Sequence, residues 1–114
     1  MKKLTISLES IEAIVFDFDG VLTDNKVYLN QDGKESVSCS RADGLAFDVL
    51  RKLQKSVYIL STERNPVITA RAKKLKIPAI QSVNNKADGI KQLAKKEVFD
   101  LQKTIYIWRP CEIL

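Results

Sequence analysis

The sequence contains no histidine. That absence removes every Ser-His-Asp and Cys-His arrangement, along with the side chain most often used as a general base near neutral pH. Acid-base chemistry in this chain falls to carboxylates or lysine. Cysteine is nearly as scarce: Cys39 and Cys111 stand far apart and, with no histidine to help, make neither a disulfide framework nor a zinc site. Both are expected to be reduced thiols. No window approaches the roughly 18 uninterrupted apolar residues of a membrane span. Glu9 and Glu12 also interrupt the apolar core that a signal peptide would need after its basic start. The expectation is a cytoplasmic protein with no membrane partner. The sequence shows no internal repeat, low-complexity tract or interdomain linker.

What is present fits one domain. A chain of 114 residues can bury a single hydrophobic core, and a hydrophobic fraction of 45% with 29% charged residues is ordinary for a globular protein. The formal charge of +5 invites a nucleic-acid reading, but the lysines are dispersed among helix-spaced apolar residues, as in "RAKKLKI" and "KQLAKKEVFD". They read as solvated helix faces, so no nucleic-acid partner is expected. A basic rim would still draw an anionic small molecule toward the protein.

Along the chain, strands alternate with helices. A first strand is predicted over about 12–17, where Ile14, Val15, Phe16 and Phe18 form an apolar run. "KVYLNQDGKESVS" then gives two short alternating segments around Asp32-Gly33, a hairpin over about 26–38. "ADGLAFDVLRKLQ" reads as a helix with Leu45, Val49, Leu50 and Leu53 on its apolar face, followed by the buried strand "SVYIL". "NPVITARAKKLK" is a helix with Asn65 as N-cap and Pro66 at its first position. "IPAIQ" is a short third strand, "NKADGIKQLAKKEV" a third helix capped at Asn84 or Asn85, and "KTIYIW" a fourth strand. The pattern predicts an α/β fold: a Rossmann-like three-layer α/β/α sandwich on a mainly parallel sheet, with a β-hairpin insertion after strand one.

Polar residues recur where these strands end. "DFDGVLTD" places Asp17 and Asp19 at the end of strand one, bent around Gly20; Ser61 and Thr62 end strand two; Lys86 follows strand three. In an open α/β sheet that edge is where ligands bind. Phosphoryl transfer needs a nucleophile, a donor to the nonbridging oxygens and a cation to hold the phosphorylated state, and carboxylate, hydroxyl and lysine supply them. A second carboxylate two residues on would protonate the leaving oxygen and then activate water. Alone, Ser61 reads more readily as a cap or turn former and Lys86 as a solvated helix-start lysine; Asp24 reads as turn former or site residue.

"DFDGVLTD", "ILSTERN" and "NNKADGIKQL" resemble the first three motifs of the haloacid dehalogenase-like phosphatases, in order and spacing, over roughly residues 11 to 107. The hairpin, "SRADGLAF" and "STERNPVITARAKKL" are most similar to the small capless subfamily acting on 3-deoxy-D-manno-octulosonate 8-phosphate and related nine-carbon sugar acids. The resemblance implies Asp17 as nucleophile and magnesium ligand, and Asp19 as general acid/base with its backbone carbonyl also on the metal. It implies Ser61 and its neighbours Thr62 and Gly20 as the phosphate-binding group, Lys86 as the neutralising cation, and Arg41, Asp43 and Gly44 as a loop near the substrate. It further implies a phosphorylated sugar acid as the small-molecule partner, and a homotetramer in which the hairpin closes a neighbouring subunit's site.

The resemblance also implies a fourth motif after "TIYI" carrying further magnesium carboxylates, and none stands there. Glu112 is the only acid after Asp100. The expectation is a single domain over 1–114, truncated relative to the family before the fourth motif. The single codon of Trp108, read one base later, begins a glycine codon, which makes "WRPCEIL" a candidate frameshifted tail. Two functions follow: an enzyme weakened by loss of the motif, or a noncatalytic homologue that binds phosphate or assembles with intact subunits. A signalling receiver domain fits poorly, because its phosphoaccepting Asp would fall at a later strand end, where this chain has Ser61 and Gln81.

Overall fold

The structure, a computed structural model, describes residues 8–108. Cys111 and the tail after Trp108 lie outside them. In chain order the elements are β1 (Ala13–Phe16), the hairpin strands β2 (Tyr28–Leu29) and β3 (Glu35–Ser36), α1 (Ala42–Lys52), β4 (Ser56–Leu60), α2 (Pro66–Leu75), β5 (Ala79–Ile80), α3 (Lys86–Glu97) and β6 (Thr104–Ile107). The main sheet has the order β5-β4-β1-β6, parallel throughout. The chain winds outward from β1 through β4 to β5, then returns to place β6 on the other side of β1. The strand order therefore reverses between β1 and β6, the kind of position where open α/β sheets bind ligands.

Both faces of the sheet are covered. On one face Val57 and Ile59 pack with Phe18, Phe47, Ile68 and Leu75; on the other Ala13, Val15, Tyr58 and Leu60 pack with Leu93. Strict alternation along β4 assigns each side chain to its layer. Val15, Ile59 and Leu60 are fully buried, each contributing about 1.5–3 kcal/mol of transfer free energy. This is the expected α/β/α sandwich.

The helix starts follow their caps. Asn65 Oδ1 accepts from the Val67 N–H at 3.1 Å, with Pro66 at the first helical position. The third helix is capped by Asn85, whose Oδ1 accepts from the N–H groups of Ala87 at 2.9 Å and Asp88 at 3.3 Å. In the hairpin, Gly33 takes a φ of +80° and Asn30 Oδ1 accepts from the N–H groups of Asp32 and Lys34, which closes the loop.

One face is corrected. The stripe expected to be buried on α1 points outward: Leu45 is 72% exposed, and Val49 and Leu53 are exposed as well. The core side is Phe47, only 2% exposed, with Leu50 beside it. Phe47 meets Phe16 edge-to-face with ring centroids 5.1 Å apart, and Arg51 on the same side donates two hydrogen bonds to the Leu75 carbonyl at 3.0 Å. One aromatic contact and a bidentate staple orient the helix more strongly than three aliphatic side chains do. Among the described residues, no helix is long and apolar enough to cross a membrane.

Candidate functional site

β1 delivers Asp17 to the sheet's carboxyl edge. The Asp17 N–H continues the ladder to the Ile107 carbonyl at 2.9 Å, and the side chain turns back so that Oδ1 accepts from the Phe18 N–H at 2.9 Å. Gly20, at φ +78°, lets the chain leave the strand end sharply, and its N–H donates to Thr23 Oγ1 at 3.1 Å. Phe18 and Leu22 are thereby folded into the core beneath the loop.

Asp17 is only 7% exposed. An ionised carboxylate so buried requires a partner, and Lys86 Nζ donates to its Oδ2 at 2.8 Å. Lys86 arrives there because α3 approaches β4 closely. Gly89 makes that approach possible: a Cβ at this position would stand 3.2 Å from Leu60 Cδ1 and 3.3 Å from Val83 Cγ1. Burial works against the charged ammonium of Lys86, but the hydrogen bond and charge of Asp17, with a smaller part from Tyr106, outweigh it and raise its pKa. Tyr106, across from Val15 in β6, has its own pKa raised by burial first and then by Asp17, with Lys86 opposing.

Ser61, 1% exposed, follows β4. Its Oγ accepts from the Glu63 N–H at 3.1 Å, which leaves the hydroxyl hydrogen free to donate to a phosphoryl oxygen. Asp19 has its pKa raised, by burial first, then by Glu63 and Asp17, while Lys86 works to lower it. A pKa raised in this way suits a group that must carry a proton.

These residues share one cleft of about 490 Å³, lined by Asp17, Asp19, Ser61, Thr62 and Lys86. The hairpin side contributes Lys26, Val27, Glu35 and Val37; the loop after β4 contributes Glu63 and Asn65. Five expected site residues thus come together. Gly20 shapes the turn without lining the cleft. Arg41, Asp43 and Gly44 stand at the start of α1, and none lines the cleft; Asp43 faces a separate depression shared with Cys39 and Asp24. Asp24 resolves as a turn former: its Oδ1 accepts from the Lys26 N–H at 3.0 Å and its Oδ2 from the Tyr28 hydroxyl at 3.2 Å.

Glu63 and Tyr106 were not anticipated, and the hairpin was expected to close a site only as a whole, with none of its residues singled out. Glu63 had a readable signal, lying two residues beyond Ser61 in the same strand-end loop. Among the described residues, no group of three or more Asp, Glu, Cys or His could hold a metal ion.

No family model matches the chain. A solved structure from Streptomyces avermitilis, assigned to the HAD family of hydrolases, superimposes with a TM-score of 0.87 at 41% identity, over 92% of this chain and 60% of that one. The fold is haloacid dehalogenase-like. The same haloacid dehalogenase-like fold is found in the 3-deoxy-D-manno-octulosonate 8-phosphate phosphatase of Moraxella catarrhalis, solved with magnesium, phosphate and KDO. It matches with a TM-score of 0.81 at 28% identity, over 87% of this chain and 57% of that one. By sequence, a curated 3-deoxy-D-manno-octulosonate 8-phosphate phosphatase of Haemophilus influenzae is 33% identical over 64 residues, 56% of this chain and 36% of that protein. The chain thus spans from 36% to 60% of the length of these proteins.

Proposed function

We propose that the chain carries the reaction centre of a magnesium-dependent phosphatase. Its substrate would be a sugar-acid phosphate, 3-deoxy-D-manno-octulosonate 8-phosphate or a related nine-carbon sugar acid phosphate. The observation that carries this reading is the buried Asp17 carboxylate, 2.8 Å from Lys86 in a cleft that also holds Asp19 and Ser61. Likeness to phosphatases of this substrate class supports it.

Asp17 attacks phosphorus through a carboxylate oxygen, and the bond to the sugar oxygen breaks as Asp19 gives that oxygen a proton. The product is a sugar-acid alcohol and an aspartyl phosphate. Asp19, now ionised, takes a proton from water, whose oxygen displaces the phosphate from Asp17 and restores the carboxylate. Ser61 donates to a nonbridging oxygen, and Lys86 balances the charge that accumulates beside Asp17.

The residues present fit a magnesium ion of minimal protein ligation. Each Asp17 oxygen accepts one hydrogen bond and keeps a lone pair free, and magnesium is commonly held by one or two carboxylates, waters and substrate phosphate. The Asp17 carboxylate and the Asp19 backbone carbonyl would hold it, and its charge would neutralise the phosphoryl oxygens.

A second reading is a noncatalytic homologue that binds phosphate or joins intact subunits. The lack of a third metal-ligating acid among the described residues favours it. An oligomer, a homotetramer by resemblance, is supported by exposed Val27, Tyr28 and Leu29 on the hairpin. Phosphate release from sugar-acid phosphates, with and without magnesium and with Asp17→Asn as control, separates the two readings. Magnesium-dependent release that the control lacks supports the phosphatase; folded protein with no release supports the homologue.

A further inference from the structure

Among the described residues two cations line the cleft, Lys86 and Lys26. Lys86 is committed to Asp17 at 2.8 Å. Lys26, exposed at the entry to the hairpin, makes no side-chain hydrogen bond or ion pair among the described residues. Its backbone, by contrast, is well fixed. Thr23 Oγ1 accepts from the N–H groups of Gly20 and Asn25, both at 3.1 Å; Asn25 takes a left-handed φ of 63°; and Asp24 accepts from the Lys26 N–H and the Tyr28 hydroxyl. One bracket therefore ties the turn after the Asp17–Asp19 segment to the base of the hairpin and sets Lys26 on the cleft wall.

The other charges in the cleft sharpen the point. Glu35 and Glu63 line it without ion-pair partners among the described residues, and Asp17 and Asp19 line it as well. Apart from Lys86, which is held by Asp17, the charged residues lining the cleft are carboxylates and Lys26, so among the described residues Lys26 is the cation open to a second anionic group. Val27 and Val37 beside it offer apolar surface to a carbon chain, and about 490 Å³ lies within the range of small-molecule sites.

We propose that Lys26 is the specificity-determining residue that takes the carboxylate of a phosphorylated sugar acid while its phosphate lies at Asp17. The assignment rests on the phosphatase reading for the identity of the ligand. It predicts selection of a phosphomonoester bearing a second negative charge over a neutral sugar phosphate, through one charge-assisted hydrogen bond.

The test is equilibrium binding at low ionic strength without added metal, so that recognition is measured apart from turnover. Wild type, Lys26→Ala and Lys26→Arg are titrated with 3-deoxy-D-manno-octulosonate 8-phosphate and with glucose 6-phosphate. Wild type prefers the acid, Lys26→Ala loses about tenfold of that preference, Lys26→Arg retains most of it, and added salt narrows the gap. A wild type with no preference, or a preference that survives Lys26→Ala, overturns the assignment. A wild type that shows the Lys26-dependent preference but releases no phosphate when magnesium is then added defeats the phosphatase reading and supports this one.

Discussion

Lys86 Nζ lies 2.8 Å from Asp17 Oδ2, joining residues 69 positions apart in the chain. The pair is lopsided: the Asp17 side chain is 10% exposed and the Lys86 side chain 36%. Removing the lysine strands a buried carboxylate, whereas removing the acid frees an ammonium that can reach water. Lys86→Met is expected to cost about 1–3 kcal/mol and Asp17→Asn distinctly less, measured by urea unfolding at neutral pH without metal.

The Asp19 carboxyl is held above its ordinary value of 3.8 by burial, then Glu63, then Asp17, against Lys86. A raised folded-state pKa means that the folded protein favours the protonated acid. Its stabilising contribution is full below 3.8 and is lost as pH rises through the folded-state value. Asp19→Asn should therefore raise the unfolding midpoint at pH 7 in chelator, with the gain shrinking toward zero as the pH falls below the ordinary carboxylate range. Thermal unfolding across pH checks this; an equal gain at all pH values would contradict it.

Two glycines in helices should respond with opposite signs. A Cβ at Gly44 would meet only Leu75 Cδ2 at 3.9 Å, so Gly44→Ala should stabilise α1 by about 0.5–1 kcal/mol. At Gly89 the stiff Val83 and the fully buried Leu60 leave no room. Gly89→Ala is expected to lose the propensity gain and destabilise by about 1 kcal/mol net. Denaturant midpoints of the two variants decide it.

The two asparagine caps make a second contrast. Asn65→Ala and Asn85→Ala should each cost about 1 kcal/mol of stability. Asn85 also fixes the helical turn that carries Lys86, whereas Asn65 lines the cleft away from that pair, so loss of Asn85 should lower kcat the more, by about tenfold, once stability is matched. Steady-state kinetics below the unfolding range of both variants provides the check.

Much of this was legible because local chemistry was unambiguous. Asn65-Pro66 can start a helix and do little else, and Asp17-Phe18-Asp19-Gly20 after an apolar run has few bland explanations. The α1 face was not legible, because Leu50 belongs to two apolar stripes. One runs through Leu45, Val49 and Leu53, the other through Phe47, and only the partners Phe16 and Leu75 decide between them. Lys26 and Glu35 escaped notice for a similar reason. Their place on the cleft depends on how the hairpin folds back over the sheet, set by the Thr23–Cys39 bridge and the Asp24 bracket and by no periodicity in the hairpin itself.

The central claim is that Asp17 accepts the phosphoryl group. The direct measurement is acid-quenched mass spectrometry of the protein mixed with 3-deoxy-D-manno-octulosonate 8-phosphate and magnesium, followed by peptide mapping. The account predicts one added phosphoryl group on the peptide containing Asp17, labile to base and absent in Asp17→Asn. Phosphate release with no adduct at Asp17, or an adduct that persists in Asp17→Asn, would contradict it.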